Sequence, residues 1–329
     1  MENKQVKKVN PVVGFFRKYF AQFIAIALMF LVLGIFTSTF LKYKNLMTVF
    51  RQICVNGLLA AGITCVLIVG CIDLSIGSTC AVSGCLVVVL NSLWGVNVWL
   101  SIILATLAGG VFGFINGFVR SKTMLPPFII TLAMQQTIRG FAYIFTNGYP
   151  IQSIDKTFNG LGNGDFLHIP KPFYVLVVCL VIVALILGRT KLGRHMYAVG
   201  GNMEAAKHSG ISYTKTVTAA YTICGLLAGL SGVIIASRMY SGQPTIGLEY
   251  GTDAIASAVI GGTAFGGGYG TVFGTFLGAF IIGVMYNGMN HLAINAYWQM
   301  IIKGLLILGA VLFDSVKGKL KIGKKKKAA

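Results

Sequence analysis

Apolar runs long enough to cross a lipid bilayer recur along most of this sequence. The first extends from about Phe20 to Leu41, and several more follow, separated by short polar stretches. The hydrocarbon core of a bilayer is about 30 Å thick and takes roughly 20 residues of helix to cross, and a backbone in lipid must satisfy its own hydrogen bonds. The whole chain, 1–329, is therefore predicted to be one all-α polytopic membrane domain of about ten transmembrane helices.

Composition and charge agree with this class. Hydrophobic residues make up 56% of the chain and charged residues 11%, whereas charged residues are about a quarter of an average soluble domain. The net charge of +19 comes largely from Lys and Arg before the first apolar run and in the segment 314–329, so both termini and this basic tail are predicted to be cytoplasmic. No set of aromatic side chains is interleaved with these basic residues to stack bases, which excludes nucleic acid as a partner.

Two pairs of apolar segments are interrupted by glycine-rich breaks. The sequences are GCIDLSIGS at 70–78 and GGTAFGGGYG at 261–270, and they resemble each other weakly, as two copies of an internal repeat would. Interrupted helices in corresponding halves are where transporters place their pathways, although the same glycines also permit tight helix packing. Both interpretations stay open, as does a plain helix-capping role for Asp73 and Ser75.

Polar residues within the fifth apolar run are expected to face the protein interior or an aqueous path, with interhelical hydrogen bonds as the alternative. These are Gln135, Gln136 and Arg139. The residues predicted to line a substrate path are Asp73, Ser75, Gly77, Gln135, Gln136, Gly261, Gly262 and Thr263.

Two polar segments are predicted on the outer side of the membrane, at 146–170 and 238–253. Both are rich in turn-forming residues and too polar to span. They are candidate docking surfaces for an extracytoplasmic protein, and the docking residues predicted within them are Asn147, Gln243, Glu249 and Asp253.

The longest polar interruption of the chain is the segment 189–215, with five basic residues and one acid. Its charge and the order of the spans both predict that it is cytoplasmic. Within it, the sequence GGNMEAAKHSG predicts a short helix from Met203 to His208, with Asn202 as its cap and Gly210 at its end.

No catalytic or metal-binding motif is found in the sequence. The seven cysteines lie within or beside apolar segments and read as packing residues. The phosphate-loop pattern GxxxxGK[ST] is missing, so the chain is predicted to bind no ATP, no metal and no other cofactor, and not to be an enzyme. An ion-coupled carrier needs ionisable groups within its spans and stays open as an alternative. The ionisable residues that lie within or at the end of a predicted span are Asp73, Arg139, Asp253 and Lys303.

At the segment 189–215 the chain also resembles a known family. The run Glu204-Ala205-Ala206 followed by Gly210 resembles the coupling-loop signature of bacterial ABC importer permeases. Further segments are similar, in order, to the ribose, galactose and xylose importer branch: GCIDLSIGS, TNGYPI, TKLGRHMYAVGGN, SGQPTIG, TDAIASAVIGGTAFGGGYGT and YWQMIIKG.

That resemblance implies a multi-pass subunit of the bacterial cytoplasmic membrane that passes a monosaccharide inward. It implies two permease chains, identical or related, a cytoplasmic ATPase that uses ATP and Mg, and an extracytoplasmic sugar-binding protein. The residues implied to contact the ATPase are Gly201, Asn202, Glu204, Ala205, Ala206 and Gly210.

The resemblance leaves the solute open. Ribose-type members carry a Tyr-Glu-Leu-Asp run where this chain has Tyr250-Gly251-Thr252-Asp253. Another small polar solute, such as a nucleoside, is therefore the alternative within the family.

Overall fold

The computed structural model describes residues 11–123, 125–309 and 312, and helices make up most of that part of the chain. The helices are α1 (Pro11–Lys18), α2 (Phe20–Phe36), α3 (Tyr43–Ile68), α4 (Ile76–Val88), which continues as a π-helical turn (Val89–Leu93), α5 (Val98–Lys122), α6 (Pro127–Thr146), α7 (Lys156–Asn163), α8 (Lys171–Arg189), α9 (Lys191–Gly201), α10 (Met203–His208), α11 (Tyr213–Met239), α12 (Tyr250–Ile260), α13 (Val272–His291) and α14 (Ala296–Gly309).

Short strands join the polar segments on one side of the helices. Strand β1 (Ile151–Gln152) pairs antiparallel with β4 (Ser241–Gly242), and β2 (Asp165–Phe166) pairs antiparallel with β3 (Ile169–Pro170). The first pairing ties the two predicted outer segments together.

In the described part of the chain, six helices are long and apolar enough to cross a membrane: α3, α4 with its π-helical turn, α5, α8, α11 and α13. Helices α2 and α14 are apolar but shorter. The all-α membrane architecture is thus confirmed, while the count of about ten crossings stays a prediction. The cytoplasmic placement of the termini also stays a prediction, and residues 1–10 and the basic tail at 314–329 lie outside the described residues.

Helix α12 does not have the length predicted for the eighth span. It has 11 residues, and at 1.5 Å per residue that is about 16 Å, roughly half of the hydrocarbon core. Helix α12 alone is therefore too short to cross the hydrocarbon core. In the segment before α12, the carbonyl oxygen of Gly247 lies against Gly77 and leaves no room for a side chain at Gly77.

Helices α5 and α11 pack with their backbones in contact. A Cβ atom on Gly109 would lie 2.8 Å from the Cα of Gly229, and one on Gly117 would lie 2.7 Å from the Cα of Thr218. The four-residue glycine spacing in α5 predicts this close approach, because small residues on one face allow two membrane helices to meet without intervening side chains.

The predicted outer loop at 146–170 is folded rather than irregular. Asp155 caps α7, because its Oδ1 accepts hydrogen bonds from the backbone N–H groups of Phe158 (3.0 Å) and Thr157 (2.7 Å). These bonds, that of Phe158 first, hold the pKa of Asp155 below its usual range. The Phe158 side chain is buried, and the N–H of Gly162 donates to Ser237 Oγ, so α7 is fixed onto the end of α11.

Candidate functional site

The predicted coupling helix is present as α10, with the predicted bounds. Asn202 Oδ1 accepts the backbone N–H of Ala205 at 3.0 Å. At the other end, Gly210 has a positive φ of 78° and its N–H donates to the carbonyl of Lys207, while the N–H of Ile211 donates to that of Ala206. These two bonds form a Schellman motif, which explains the glycine at this position.

The predicted ATPase-contact residues divide into an exposed set and one anchor. Ala206 is 4% exposed and packs into the main hydrophobic core. The other five are exposed: Gly201, Asn202, Glu204, Ala205 and Gly210. The structure therefore leaves one face of α10 free for a partner and holds the opposite face against the protein.

The C-terminal end of α9 meets both glycine-rich breaks at one place, here named the glycine junction (Ile68–Gly70, Gly200–Gly201 and Gly266–Gly270). A Cβ atom on Gly200 would lie 2.6 Å from the backbone nitrogen of Gly268 and would overlap the carbonyl oxygen of Ile68. The N–H of Gly268 donates to that same carbonyl at 2.9 Å. Three backbones therefore touch with no side chain between them.

Tyr197 adds a second link between α9 and the junction. Its hydroxyl donates to the carbonyl of Gly270 at 2.8 Å. The segment that carries α10 is thus joined directly to the turn between α12 and α13 and to the end of α3. A displacement of α10 would be transmitted to both interrupted segments, because packed backbones have no compressible space between them.

The first predicted path residues lie in a closed polar cluster. Asp73 is 1% exposed, and its Oδ1 accepts hydrogen bonds from the backbone N–H (2.8 Å) and the hydroxyl (2.6 Å) of Ser75. Asn116 Nδ2 donates to Ser75 Oγ at 2.7 Å. Ser75, the residue before α4, makes no side-chain cap hydrogen bond, whereas Asp73 accepts the backbone N–H of Ser75 at the start of that helix. The choice between a capping role and a path role for Asp73 therefore stays open.

The other predicted path residues lie apart from this cluster. Gly261 packs its backbone against Gly274, and Thr263 is fully buried beside the glycine junction, whereas Gly262 is exposed. On α6, Gln135 is half-buried and Gln136 is exposed. The structure does not bring the predicted path residues together around one cavity of the described chain, and their role in transport stays a prediction.

A polar cavity does lie elsewhere, between α3, α11, α12 and α13. Its volume is about 320 Å³, and we name it the outer chamber. The residues that line it are Gln52, Val55, Asn56, Ile235, Arg238, Glu249, Tyr250, Asp253, Ile282, Gly283, Tyr286 and Asn290.

Two predicted docking residues line this chamber. Asp253 lies within α12 and is only 8% exposed, so its side chain lies inside the bundle. Glu249 stands immediately before α12, and its side chain is 51% exposed. A docking role stays a prediction for both residues, and of the two Glu249 is the accessible one.

Lys303 of α14 forms ion pairs with both acids. Its Nζ lies 2.7 Å from Glu249 Oε2 and 2.7 Å from Asp253 Oδ1, and the Tyr286 hydroxyl donates to Asp253 Oδ1 at 3.2 Å. Lys303 is 6% exposed. A buried charge without a partner is strongly unfavourable, so this cluster fixes α14 onto α12.

The remaining docking and fifth-span residues are placed as follows. Asn147 is exposed and ends α6 with a positive φ of 49°, and Gln243 is half-buried, with its Nε2 bonded to Ser241 Oγ. Arg139 is 6% exposed, and its Nη1 donates to the carbonyls of Pro244 and Ile246, both at 2.6 Å. Arg139 thus faces the protein interior, and its hydrogen-bond partners are carbonyls of the loop before α12 and not groups of another helix.

Five polar residues of the chamber were not singled out from the sequence: Gln52, Asn56, Arg238, Tyr286 and Asn290. The sequence held a signal for two of them. Gln52 and Asn56 lie one helical turn apart near the middle of α3, and the residues between them and after Asn56 are almost all apolar. Polar groups at that depth are unfavourable in hydrocarbon and therefore point to an interior cavity.

Comparison with known proteins identifies the class of the chain. Residues 45–311 match the family described as the branched-chain amino acid transport system permease component.

The chain belongs to this permease family.

The permease also has relatives that align along nearly its whole length. It is 41% identical over 297 residues to the ribose import permease protein RbsC of Bacillus subtilis (strain 168), covering 90% of this chain and 92% of the relative. It is 34% identical over 302 residues to the L-arabinose transport system permease protein AraH of Escherichia coli (strain K12), covering 92% of each. It is 34% identical over 306 residues to the D-allose transport system permease protein AlsC of the same strain, covering 93% and 94%.

No solved structure matches the permease. Its relatives and its apolar helices show a multi-pass transport subunit of the inner membrane, and not an enzyme.

Proposed function

We propose that this permease is the membrane-spanning subunit of an ATP-driven importer that passes a monosaccharide from an extracytoplasmic binding protein into the cytoplasm. The observation that carries the proposal is the alignment along about nine tenths of both chains with permeases named for ribose, arabinose and allose. The family description names branched-chain amino acids, but three relatives of similar length are named for neutral sugars. We therefore assign the solute to the sugar class.

The energy source in this proposal is a separate cytoplasmic ATPase that binds ATP and Mg and contacts the exposed face of α10. The glycine junction supports this placement, because it joins α9 to both interrupted segments through direct backbone contacts. Closure of the ATPase would push α10, and the junction would pass that movement to α3, α12 and α13. The result is alternating access by rigid-body movement, without covalent chemistry.

A second permease chain belongs to the same assembly. Helix α6 supports this, because Gln136 lies exposed between exposed apolar residues, including Leu132. An amide facing lipid at that depth is unfavourable, whereas a facing protein surface or an aqueous path would satisfy it.

The ion-coupled carrier is the second candidate function. The buried charges of Lys303 and Asp253 favour it, whereas Glu249 is exposed. The ion pairs favour a structural role, because each acid already has the lysine as a partner. The two functions differ in their response to ATP and to an imposed ion gradient.

The assignment of the solute is tested by uptake of labelled solutes into cells that express the permease with its ATPase and binding protein. The panel contains ribose, arabinose, allose, galactose, a nucleoside and leucine. We expect at least one of the sugars to accumulate, and leucine and the nucleoside to stay at the level of cells lacking the permease. Accumulation of leucine or the nucleoside without any sugar would contradict the assignment.

A further inference from the structure

The outer chamber is lined by residues of α3, α11, α12 and α13 and by Glu249. Gln52 and Asn56 lie near the middle of α3, whereas Arg238 and Asn290 lie at the ends of α11 and α13 that adjoin the predicted outer segments. The chamber therefore extends from about half the depth of the bundle toward its outer end.

Two acceptor groups in the chamber have no hydrogen-bond donor among the described residues. Asn56 Nδ2 donates to Ser257 Oγ at 2.8 Å, and this bond orients the amide and leaves Asn56 Oδ1 unpaired. Gln52 Oε1 is also buried and unpaired. Leaving such a group unsatisfied is unfavourable by about 1–3 kcal/mol, so the site favours a molecule that brings donors of its own.

The charges at the chamber balance when the neighbouring Lys303 is included. Arg238, Glu249 and Asp253 line the chamber, and Lys303, which does not line it, forms ion pairs with both acids. The formal charges of these four groups sum to zero. An ionic ligand would therefore meet no net opposite charge, which favours a neutral ligand.

The remaining walls suit a ring that is polar at its edge and apolar on its face. Val55, Ile235 and Ile282 provide apolar surface, and Tyr250 and Tyr286 provide aromatic rings with hydroxyl groups. The volume of about 320 Å³ lies at the small end of ligand pockets, which span about 300–1,000 Å³.

We propose that the outer chamber is a binding site for the transported monosaccharide, with the amide oxygens of Gln52 and Asn56 accepting sugar hydroxyl donors. The identity of the ligand as a sugar rests on the proposed function. Water competes for the same polar groups, and one sugar gains few contacts there, so binding is weak, with a Kd on the order of 1 mM. A weak site can release the sugar on the transport path.

The test measures binding of labelled ribose, arabinose and allose to the purified permease in nanodiscs by equilibrium dialysis. We expect wild-type protein to bind at least one sugar, and Gln52→Leu and Asn56→Leu each to weaken that binding about 3- to 10-fold, the value of one neutral hydrogen bond. Thr106→Val is the matched control, because it also removes a buried unpaired oxygen but lies on α5, outside the chamber. It should bind sugar like the wild type.

Wild-type hydrogen exchange provides a readout that does not depend on how the variants fold. Sugar should slow amide exchange in α12 and in the neighbouring part of α3, and leave α8 unchanged. Absence of sugar binding at tens of millimolar would contradict the proposal that the outer chamber binds sugar. Equal binding by the wild type and both leucine variants would contradict it as well.

ATP-driven import in the same preparation, completed with ATPase and binding protein, separates the two proposals. If the wild type imports sugar and the leucine variants bind sugar as well as the wild type does, the outer chamber is not the sugar site. The proposed function then still stands. Absence of sugar import by the wild type overturns the proposed function, and the dialysis result then decides whether the chamber is a sugar site.

Discussion

Replacing Gly200 with alanine is expected to reduce sugar import at least about tenfold. The added Cβ atom would overlap the carbonyl oxygen of Ile68 and lie 2.6 Å from the nitrogen of Gly268, and both of these are backbone atoms that cannot rotate away. Overpacking of this kind destabilises by about 1–3 kcal/mol even when only side chains must move. The end of α9 must therefore separate from the glycine junction.

The measurement is ATP hydrolysis and sugar uptake by the assembled importer, with Gly188→Ala as the matched control. Gly188 is also a helical glycine near the segment 189–215, but its Cβ atom would meet no other atom within 4 Å. We expect Gly188→Ala to import sugar at the wild-type rate. In Gly200→Ala, hydrolysis should continue without matching uptake, and normal import by this variant would show that the junction does not carry the movement.

Replacing Lys303 with methionine is expected to destabilise the protein by about 3–5 kcal/mol, because the buried Asp253 would lose its cationic partner and be left beside the exposed charge of Glu249. Methionine keeps most of the volume of the side chain, so the loss would come from charge and not from a cavity. Thermal unfolding of the purified protein in nanodiscs measures the effect.

Two further variants identify the cause. The triple variant Lys303→Met, Glu249→Gln, Asp253→Asn removes all three charges and should recover most of the lost stability. Lys207→Met breaks the exposed ion pair with Glu204 and should change stability by only about 0–1 kcal/mol. A Lys303→Met protein as stable as the wild type would show that the ion pairs do not fix α14 onto α12.

Local sequence patterns predicted the local structure of this permease well. The bounds of α10 followed from Asn202 and Gly210, since a cap and a positive-φ glycine act on adjacent residues. The glycine steps of α5 likewise predicted a close helix contact, although not that α11 would be the partner.

Features that depend on contacts between distant segments were not predicted. Helix α12 and a full span look alike in hydropathy because the glycine-rich break follows directly, so Asp253 was assigned to the outer surface. Gly200 gave no signal, since its role depends on contact with Ile68, more than a hundred residues away. Gln52 and Asn56 were visible as polar residues in an apolar run, but the cavity that they face is formed by four separate helices.

The central claim is that a cytoplasmic ATPase moves this membrane domain through α10 and the glycine junction. Its most direct test is uptake of labelled ribose, arabinose and allose into proteoliposomes that contain the permease, its partner ATPase and its binding protein, with ATP supplied on the side of α10. We predict that uptake of at least one sugar rises and falls with ATP hydrolysis and that an imposed proton or sodium gradient does not replace ATP. Uptake by the permease alone, driven by such a gradient, would contradict the claim.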